Sequence, residues 1–253
     1  MQTLFRVRIE NILLQILPLD GGLIYTESNF NNFFPEPLNA ITSSFFLFIA
    51  LYWLIKLRWF LSKHAFLIIC AWILLVGGIG GILYHGLRRY NIFIALDWVP
   101  IVVLCFLNSG WFWQKVVGTG AAILVGLSFL AVEIFLNYRY DHDNSHFANN
   151  VSYGLMGLMI LIPVVVYLYK TKFKNGKLIL FALITFCLAL GFRVIDDWGI
   201  VPFGTHFLWH MFSDVTTGCL FYFIYKLSPN TIKAAERISR WSFTFPRRGQ
   251  KAF

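Results

Sequence analysis

Charged side chains are scarce in this sequence. Asp, Glu, Lys and Arg make up 13% of its 253 residues, whereas a soluble domain is nearer a quarter charged. With 58% hydrophobic residues and a mean hydropathy of +0.67, the chain is predicted to be an integral membrane protein. The 21 basic residues outnumber the 12 acidic ones, but they lie mostly between apolar runs, so their charge does not indicate a nucleic-acid partner.

Paired cysteine spacings are also lacking, and we expect no cleavable signal peptide. The four cysteines fall singly inside apolar runs, which favours packing roles over disulfides or a zinc cluster. Arg6, Arg8 and Glu10 interrupt the first apolar stretch, and no small-residue cleavage site follows it. We expect residues 1–17 to form a short amphipathic helix on the membrane, ended by Pro18.

What the sequence does contain is seven apolar runs. Each can span the roughly 30 Å hydrocarbon core, which takes about 20 helical residues. They lie at about 38–57, 64–87, 90–108, 117–137, 148–169, 177–194 and 205–226. We therefore predict one all-α domain of seven transmembrane helices at 38–226, between an amphipathic segment and outer loop at 1–37 and a basic tail at 227–253.

Basic residues indicate how these spans are oriented. They are concentrated between spans one and two, between spans five and six, and in the tail. A seven-span chain places all three segments on one side, which the positive-inside rule makes cytoplasmic. The N-terminus is then outside and the C-terminus inside.

Three histidines and one aspartate are predicted to meet in the outer third of the membrane. His206 and His210 are four residues apart at the start of the last run, so on a helix both imidazoles share one face. His85 ends the second span, and Asp97 lies about two turns into the third. Three imidazoles with an open fourth position are a common ligand set of catalytic zinc, which activates water.

Other interpretations of these residues stay open. Iron or copper also binds three imidazoles, although zinc needs no redox partner. Histidines at a membrane interface also bond water or backbone, and Asp97 is alternatively a structural carboxylate paired with Arg88 or Arg89. Asp214, one turn after His210 on the same face, is placed to orient that imidazole.

Taken together, these motifs resemble the alkaline ceramidase family, seven-span zinc amidases within a wider group of membrane hydrolases that includes the adiponectin receptors. The similar segments are Gly204-Thr205-His206-Phe207-Leu208-Trp209-His210, Asp97-Trp98-Val99-Pro100-Ile101, Tyr84-His85 and Glu36-Pro37-Leu38-Asn39-Ala40. The last resembles the bacterial branch in particular, which implies a multi-pass protein of the bacterial inner membrane. The resemblance covers nearly the whole chain.

The resemblance implies a reaction and the residues for it. His85, His206 and His210 would hold zinc. Asp97 would take a proton from the zinc-activated water and later pass it to the leaving amine. The substrate would be ceramide or a related N-acyl lipid, cleaved to a fatty acid and a sphingoid-type amine. Alternatives are another lipid amidase or esterase, and a catalytically silent lipid-binding or receptor-like protein with structural zinc.

The family also implies a calcium site. In its animal enzymes an N-terminal acidic cluster binds calcium next to the zinc. The matching positions here are Glu27, Asn29, Glu36 and Asn39. The match is partial, because Leu23 or Ile24 stands where the family has a further acid, and Asp20 is the nearest one.

Gly81 is the main departure from the family. The family has a serine here, one turn before the second-helix histidine, whose hydroxyl is thought to stabilise the oxyanion of the tetrahedral intermediate. Loss of one such donor typically costs about 10²–10³ in rate. Three interpretations follow. The protein is a slower enzyme, it uses zinc or another group to stabilise the oxyanion, or it accepts a different substrate that fits in the space left by Gly81.

Overall fold

The fold comes from a computed structural model that describes residues 18–140 and 145–227. This part of the chain forms helices and no strands, which confirms the predicted all-helical class. The helices are α1 (Pro37–Leu57), α2 (Ala65–Leu87), α3 (Asn91–Val117), α4 (Thr119–Tyr140), α5 (Ser145–Lys170), α6 (Gly176–Asp196) and α7 (His206–Leu227). The surface helix predicted at 1–17 and the tail after Leu227 lie outside the described residues.

Helices α1 to α6 are long and apolar enough to cross a membrane, with mean hydropathies between 1.8 and 2.6. Helix α7 has 22 residues but carries His206, His210 and Asp214, and it is not among the six. Large apolar side chains such as Leu124 and Ile134 lie exposed on the outer surface. Lipid would cover such a surface, so the structure supports a multi-pass membrane protein.

Helix α3 runs well beyond its predicted end near residue 108. The side-chain amide of Asn108 donates to the Leu104 carbonyl at 2.7 Å, and the Ser109 hydroxyl donates to the Met159 carbonyl of α5 at 2.8 Å. Both polar side chains thus find backbone acceptors inside the bundle. The helix continues to Val117, since the side chains of Asn108 and Ser109 donate hydrogen bonds to carbonyls inside the bundle.

Close helix contacts occur at glycines of α2. A Cβ added at Gly78 would lie 2.7 Å from the α1 backbone, and one at Gly80 would collide with the carbonyl of Leu96 in α3. Pro100, four residues after Leu96, has no N–H to bond that carbonyl. Small residues let membrane helices approach this closely. The contact places Asp97, the residue after Leu96, directly against α2.

Gly80→Ala is therefore expected to destabilise the fold by about 1–3 kcal/mol, the usual range for overpacking a close contact. The Cβ would meet backbone atoms of α3, which cannot move aside as a flexible side chain can. Gly110→Ala in α3 is the matched control, because no atom lies within 4 Å of its added Cβ. Thermal unfolding in one detergent compares the two, and equal melting temperatures would contradict the contact.

The main apolar core lies at the end of the bundle away from His85. Its largest fully buried members are Phe112 of α3 and Phe223 of α7, whose rings stack with centroids 6.0 Å apart. Helix α7 packs between α1 and α6, so it closes the ring of helices. This closure brings the start of α7 beside the end of α2, where the candidate site lies.

Candidate metal centre

Three histidines from two helices meet at this end of the bundle. One ring nitrogen from each of His85, His206 and His210 lies within 4.8 Å of the others. The three residues are at most 4% exposed, and their ring centroids are 4.8–5.5 Å apart. The predicted convergence of three imidazoles is confirmed, and the group could hold a metal ion.

The hydrogen bonding of these rings also fits a metal. Nε2 of His85, Nε2 of His210 and Nδ1 of His206 are buried and have no hydrogen-bond partner within the described part of the chain. Buried polar atoms without partners are costly and uncommon. A divalent ion that favours imidazole nitrogen, such as zinc, would use such lone pairs.

Glu36 fixes the ring of His85 from behind. It precedes α1, it is fully buried, and its Oε2 accepts a hydrogen bond from Nδ1 of His85 at 2.5 Å. Burial raises the pKa of the Glu36 carboxyl, but the bond from His85 and the charge of Arg88 outweigh it and hold the pKa below its usual value. An ionised acceptor at Nδ1 leaves Nε2 as the free lone pair, the arrangement common behind metal-binding histidines.

Arg88 connects this carboxylate to the loop that precedes α1. It is 2% exposed, and its guanidinium donates to Asp20 (Nε to Oδ2, 2.8 Å), to the Leu23 carbonyl (2.8 Å) and to Glu36. The alternative that Asp97 pairs with Arg88 therefore has no support, since Arg88 bonds other acids. Arg89, its neighbour, is exposed.

The residues predicted for calcium have other partners here. The Glu27 carboxylate accepts the backbone N–H groups of Leu38 and Asn39 at 2.5 and 3.0 Å, so it caps the start of α1. Glu36 faces His85 and the Arg88 guanidinium.

The two asparagines among the four predicted calcium positions, Asn29 and Asn39, lie in different surroundings. Asn29 lies exposed in the loop, where its Oδ1 accepts the backbone N–H of Asn31 at 3.1 Å. Asn39 is buried, and its Nδ2 lies 3.5 Å from a Glu36 oxygen. Among the described His, Cys, Asp and Glu residues, the three histidines are the group that could hold a metal. A calcium site at these four positions stays a prediction.

Asp196 positions the first turn of α7. Its Oδ1 accepts the backbone N–H groups of Thr205 (2.5 Å) and His206 (2.9 Å), and its Oδ2 accepts that of Thr26 (3.2 Å). A carboxylate at a helix N-terminus satisfies free amides and complements the helix dipole. Gly204 is required beside it, because its φ is +68° and a Cβ there would lie 2.5 Å from Asp196 Oδ1.

Tyr25 covers the centre from the loop side. Its ring stacks on His206 with centroids 3.9 Å apart and planes 25° apart, and it lies 5.5 Å from the ring of His85. It is a buried residue, so the loop before α1 shields two of the three imidazoles from water. Burial raises the pKa of the Tyr25 phenol to about 12, so it stays neutral at ordinary pH.

The space beside Gly81 is occupied by two other side chains. A Cβ added at Gly81 would lie 2.8 Å from Oδ1 of Asp97, 2.9 Å from Cβ of Ser43 and 3.0 Å from its Oγ. Asp97 also lines the cavity described below. Gly81 therefore makes room for the proposed proton carrier and for a serine of α1.

Asp214 does not bond His210 in this structure. It is buried, and neither carboxylate oxygen has a hydrogen-bond partner within the described residues. The atom near Nδ1 of His210 is instead Oγ of Ser43, at 3.5 Å. The contact predicted for Asp214 is thus made by a residue from another helix.

An apolar cavity of about 170 Å³ extends from Asp97 into the bundle. Its walls come from α1, α2, α3, α5, α6 and α7, and they are predominantly hydrocarbon. Lining residues include Leu74, Leu104, Tyr153, Met156, Phe186 and Trp209. Pockets of this type suit ligands that are mostly apolar and carry few polar groups.

Comparison with protein-family models and with curated proteins finds no match for this chain. The likeness to alkaline ceramidases therefore rests on the motifs quoted above, and the activity that it implies is a proposal.

Sequence reasoning missed several residues that build the site. Ser43, Tyr25 and Asp196 were not predicted to contact it. A signal was present for Ser43, since Glu36, Asn39 and Ser43 form a polar stripe at i, i+3 and i+7 of an apolar helix. Tyr25 lies in a loop, and Asp196, the last residue of α6, bonds backbone groups outside its own helix, so no helical repeat marks either contact.

Proposed function

We propose that this protein is a zinc-dependent amidohydrolase of the alkaline ceramidase type. It would cleave the amide bond of ceramide or a related N-acyl lipid and release a fatty acid and a sphingoid-type amine. The observation that carries the proposal is a buried three-histidine centre together with the carboxylate of Asp97, which packs against Gly81, one turn before His85, and lines an apolar cavity. The motif resemblance points to the same chemistry.

The residues of the chain have distinct parts in this reaction. Zinc on three imidazoles would supply Lewis-acid chemistry, polarising the amide carbonyl and making water more acidic. Asp97 would accept the proton from water and deliver it to the leaving amine. The cavity walls would hold the hydrocarbon chain, so the amide reaches the centre while water is kept from the tail.

Glu36, Asp196 and Tyr25 would keep the imidazoles in place. Glu36 bonds the ring of His85, Asp196 bonds the backbone of His206, and Tyr25 stacks on the ring of His206. Imidazoles held by such contacts reorganise less during the reaction, which lowers the free-energy cost of reaching the transition state.

We further propose that α7 is a seventh span, which puts the N-terminus outside and the C-terminus in the cytoplasm. The support is its length and its packing between α1 and α6. The basic loop at Lys170, Lys172, Lys174 and Lys177 would be cytoplasmic, and a bacterial inner membrane is the proposed location. A single cysteine at position 172 should resist an impermeant thiol reagent in intact cells and react after lysis. Labelling from outside would reverse the topology.

Purified protein is expected to contain about one zinc per chain and to release fatty acid from fluorescent ceramide. His206→Ala should lose both metal and turnover, because it removes one of three ligands. His64→Ala is the matched control, because His64 directly precedes α2 and stacks on Tyr225, away from the three-histidine centre. Mass spectrometry of metals and product release with and without a chelator provide the measurements.

The outcomes separate the candidate functions. Protein prepared without chelator that holds no transition metal would refute the metal hypothesis. Stoichiometric zinc with no release from any amide or ester lipid would favour a silent lipid-binding or receptor-like protein. Release from esters alone would make the protein a lipid esterase.

A further inference from the structure

We infer that a groove between α1 and α7 binds an anionic phospholipid of the membrane. The groove lies toward the end of the bundle away from the three histidines, and it takes no part in the proposed hydrolysis. Its walls are Phe48, Ile49, Tyr52, Trp53, Gly218 and Tyr222. We call this feature the α1–α7 groove.

The walls of the α1–α7 groove suit a hydrocarbon chain. Phe48 and Tyr52 are exposed, so the groove opens on the surface that lipid would cover. Gly218 has no side chain to fill it, and a Cβ added there would meet no neighbouring atom within 4 Å. The glycine therefore leaves a space along α7 in which an acyl chain can lie.

Two lysines stand at one end of the α1–α7 groove. Lys56 and Lys226 lie in the last turns of α1 and α7. The Nζ atom of Lys56 lies 5.0 Å from the ring centroid of Tyr52 and 4.8 Å from that of Trp53. The Nζ atom of Lys226 lies 4.8 Å from the ring centroid of Tyr222. All three rings are walls of the groove, so two positive charges lie where the head group of a lipid in the groove would be.

The ammonium group of Lys56 is held in position and still has donors for a ligand. It donates one of its three N–H groups to the Tyr52 hydroxyl at 2.8 Å, and the ring of Tyr225 lies 4.7 Å away. Among the described residues, no carboxylate forms an ion pair with Lys56 or Lys226. A phosphate oxygen can therefore accept charge-assisted hydrogen bonds from both ammonium groups.

Charge favours an anionic phospholipid over the other possible occupants. A second copy of the chain in a two-fold dimer would bring the same two lysines into the interface, where like charges repel. A zwitterionic lipid would add a cation of its own. The sequence after Leu227 has one acid, Glu236, and these basic residues: Lys233, Arg237, Arg240, Arg247, Arg248 and Lys251. That segment shares the sign of the lysines, whereas basic pockets between membrane helices bind anionic head groups.

Native mass spectrometry of the full chain in detergent measures the preference. The protein is titrated with phosphatidylglycerol or with phosphatidylcholine of the same acyl chains. Wild type should bind one phosphatidylglycerol at least about 10-fold more tightly, since each basic residue near an anionic head group contributes about 5-fold. Lys56→Gln/Lys226→Gln should abolish this preference. Lys115→Gln is the matched control, because Lys115 also lies over a ring, that of Trp111 at 4.2 Å, but on α3, which does not line the groove.

A second variant blocks the apolar part of the groove and leaves the charge unchanged. Gly218→Leu should weaken phosphatidylglycerol binding about 10-fold, because its side chain would displace about two methylene groups of the lipid. Gly126→Leu in α4 is the matched control, since a Cβ added there also meets no neighbouring atom within 4 Å and Gly126 is not a wall of the groove. The control should bind the lipid as wild type does.

Equal affinity of wild type for the two lipids would overturn the inference. So would a preference that survives in Lys56→Gln/Lys226→Gln, or wild-type binding by Gly218→Leu. Displacement of the lipid by an equal concentration of inorganic phosphate would show a simple anion site instead. A dimer without bound lipid that dissociates in Gly218→Leu would assign the groove to a second copy of the chain. None of these measurements involves turnover, so failure of the proposed hydrolysis would leave their result unchanged.

Discussion

Asp97→Asn is expected to lower kcat for amide hydrolysis by about 10²–10⁴-fold, the usual contribution of a general acid–base group. Asparagine has nearly the same shape, so it can occupy the space between Gly81 and the cavity, but it cannot accept the proton from water. Zinc content and melting temperature should stay near wild type. Steady-state kinetics on fluorescent ceramide should show the loss mainly in kcat.

A matched carboxylate controls for charge. Asp197 follows α6 directly, is partly exposed, and has its Oδ1 3.0 Å from Nδ1 of His146 in α5. Asp197→Asn should therefore leave turnover near wild type. A structural role for Asp97 would show instead as lost expression or lost thermal stability. Near-normal turnover in a folded, zinc-loaded Asp97→Asn protein would remove Asp97 from the mechanism.

Arg88→Met is expected to destabilise the protein by about 3–5 kcal/mol, the cost of removing one partner of a buried ion pair. Methionine fills part of the volume but leaves the buried carboxylates of Asp20 and Glu36 without their cation. Arg89→Met is the matched control, because Arg89 is exposed and such surface changes usually stay within about 0.5 kcal/mol. Thermal unfolding in detergent measures both, and equal melting temperatures would contradict the buried pair.

The same variant also tests the calcium prediction. Calcium binds carboxylate and carbonyl oxygens, and in wild type the Arg88 guanidinium lies among Asp20, Glu36 and the Leu23 carbonyl. We expect millimolar calcium to raise the melting temperature of Arg88→Met more than that of wild type, because the variant frees these oxygens. An equal rise in both proteins would favour a site that does not compete with Arg88, and no rise in either would contradict the calcium prediction.

The sequence predicted the helices and the three histidines because both follow from short-range repeats. Apolar runs of about 20 residues define spans, and four-residue spacing places His206 and His210 on one face. The position of His85 followed from counting depth along neighbouring spans. These inferences need only helix geometry and alternation of direction across the membrane.

Contacts between distant segments could not be obtained in this way. The expectation that Gly81 leaves a gap depends on what the neighbouring helices bring, and Ser43 is 38 positions away in the chain. The pairing of Arg88 with Asp20 depends on the path of a loop without periodicity. The predicted end of α3 near residue 108 was too early, because the helix also contains Asn108 and Ser109, whose side chains donate to carbonyls of α3 and α5.

The bonds from the loop at Asp20 through Arg88 and Glu36 to His85 also carry a thermodynamic consequence. If docking of this loop strengthens the affinity of His85 for a metal, the metal must strengthen docking of the loop by the same free energy. Metal binding and docking of this loop are then thermodynamically coupled. Loss of the ion would loosen the cover over the centre, and loosening of the cover would weaken the hold on the ion.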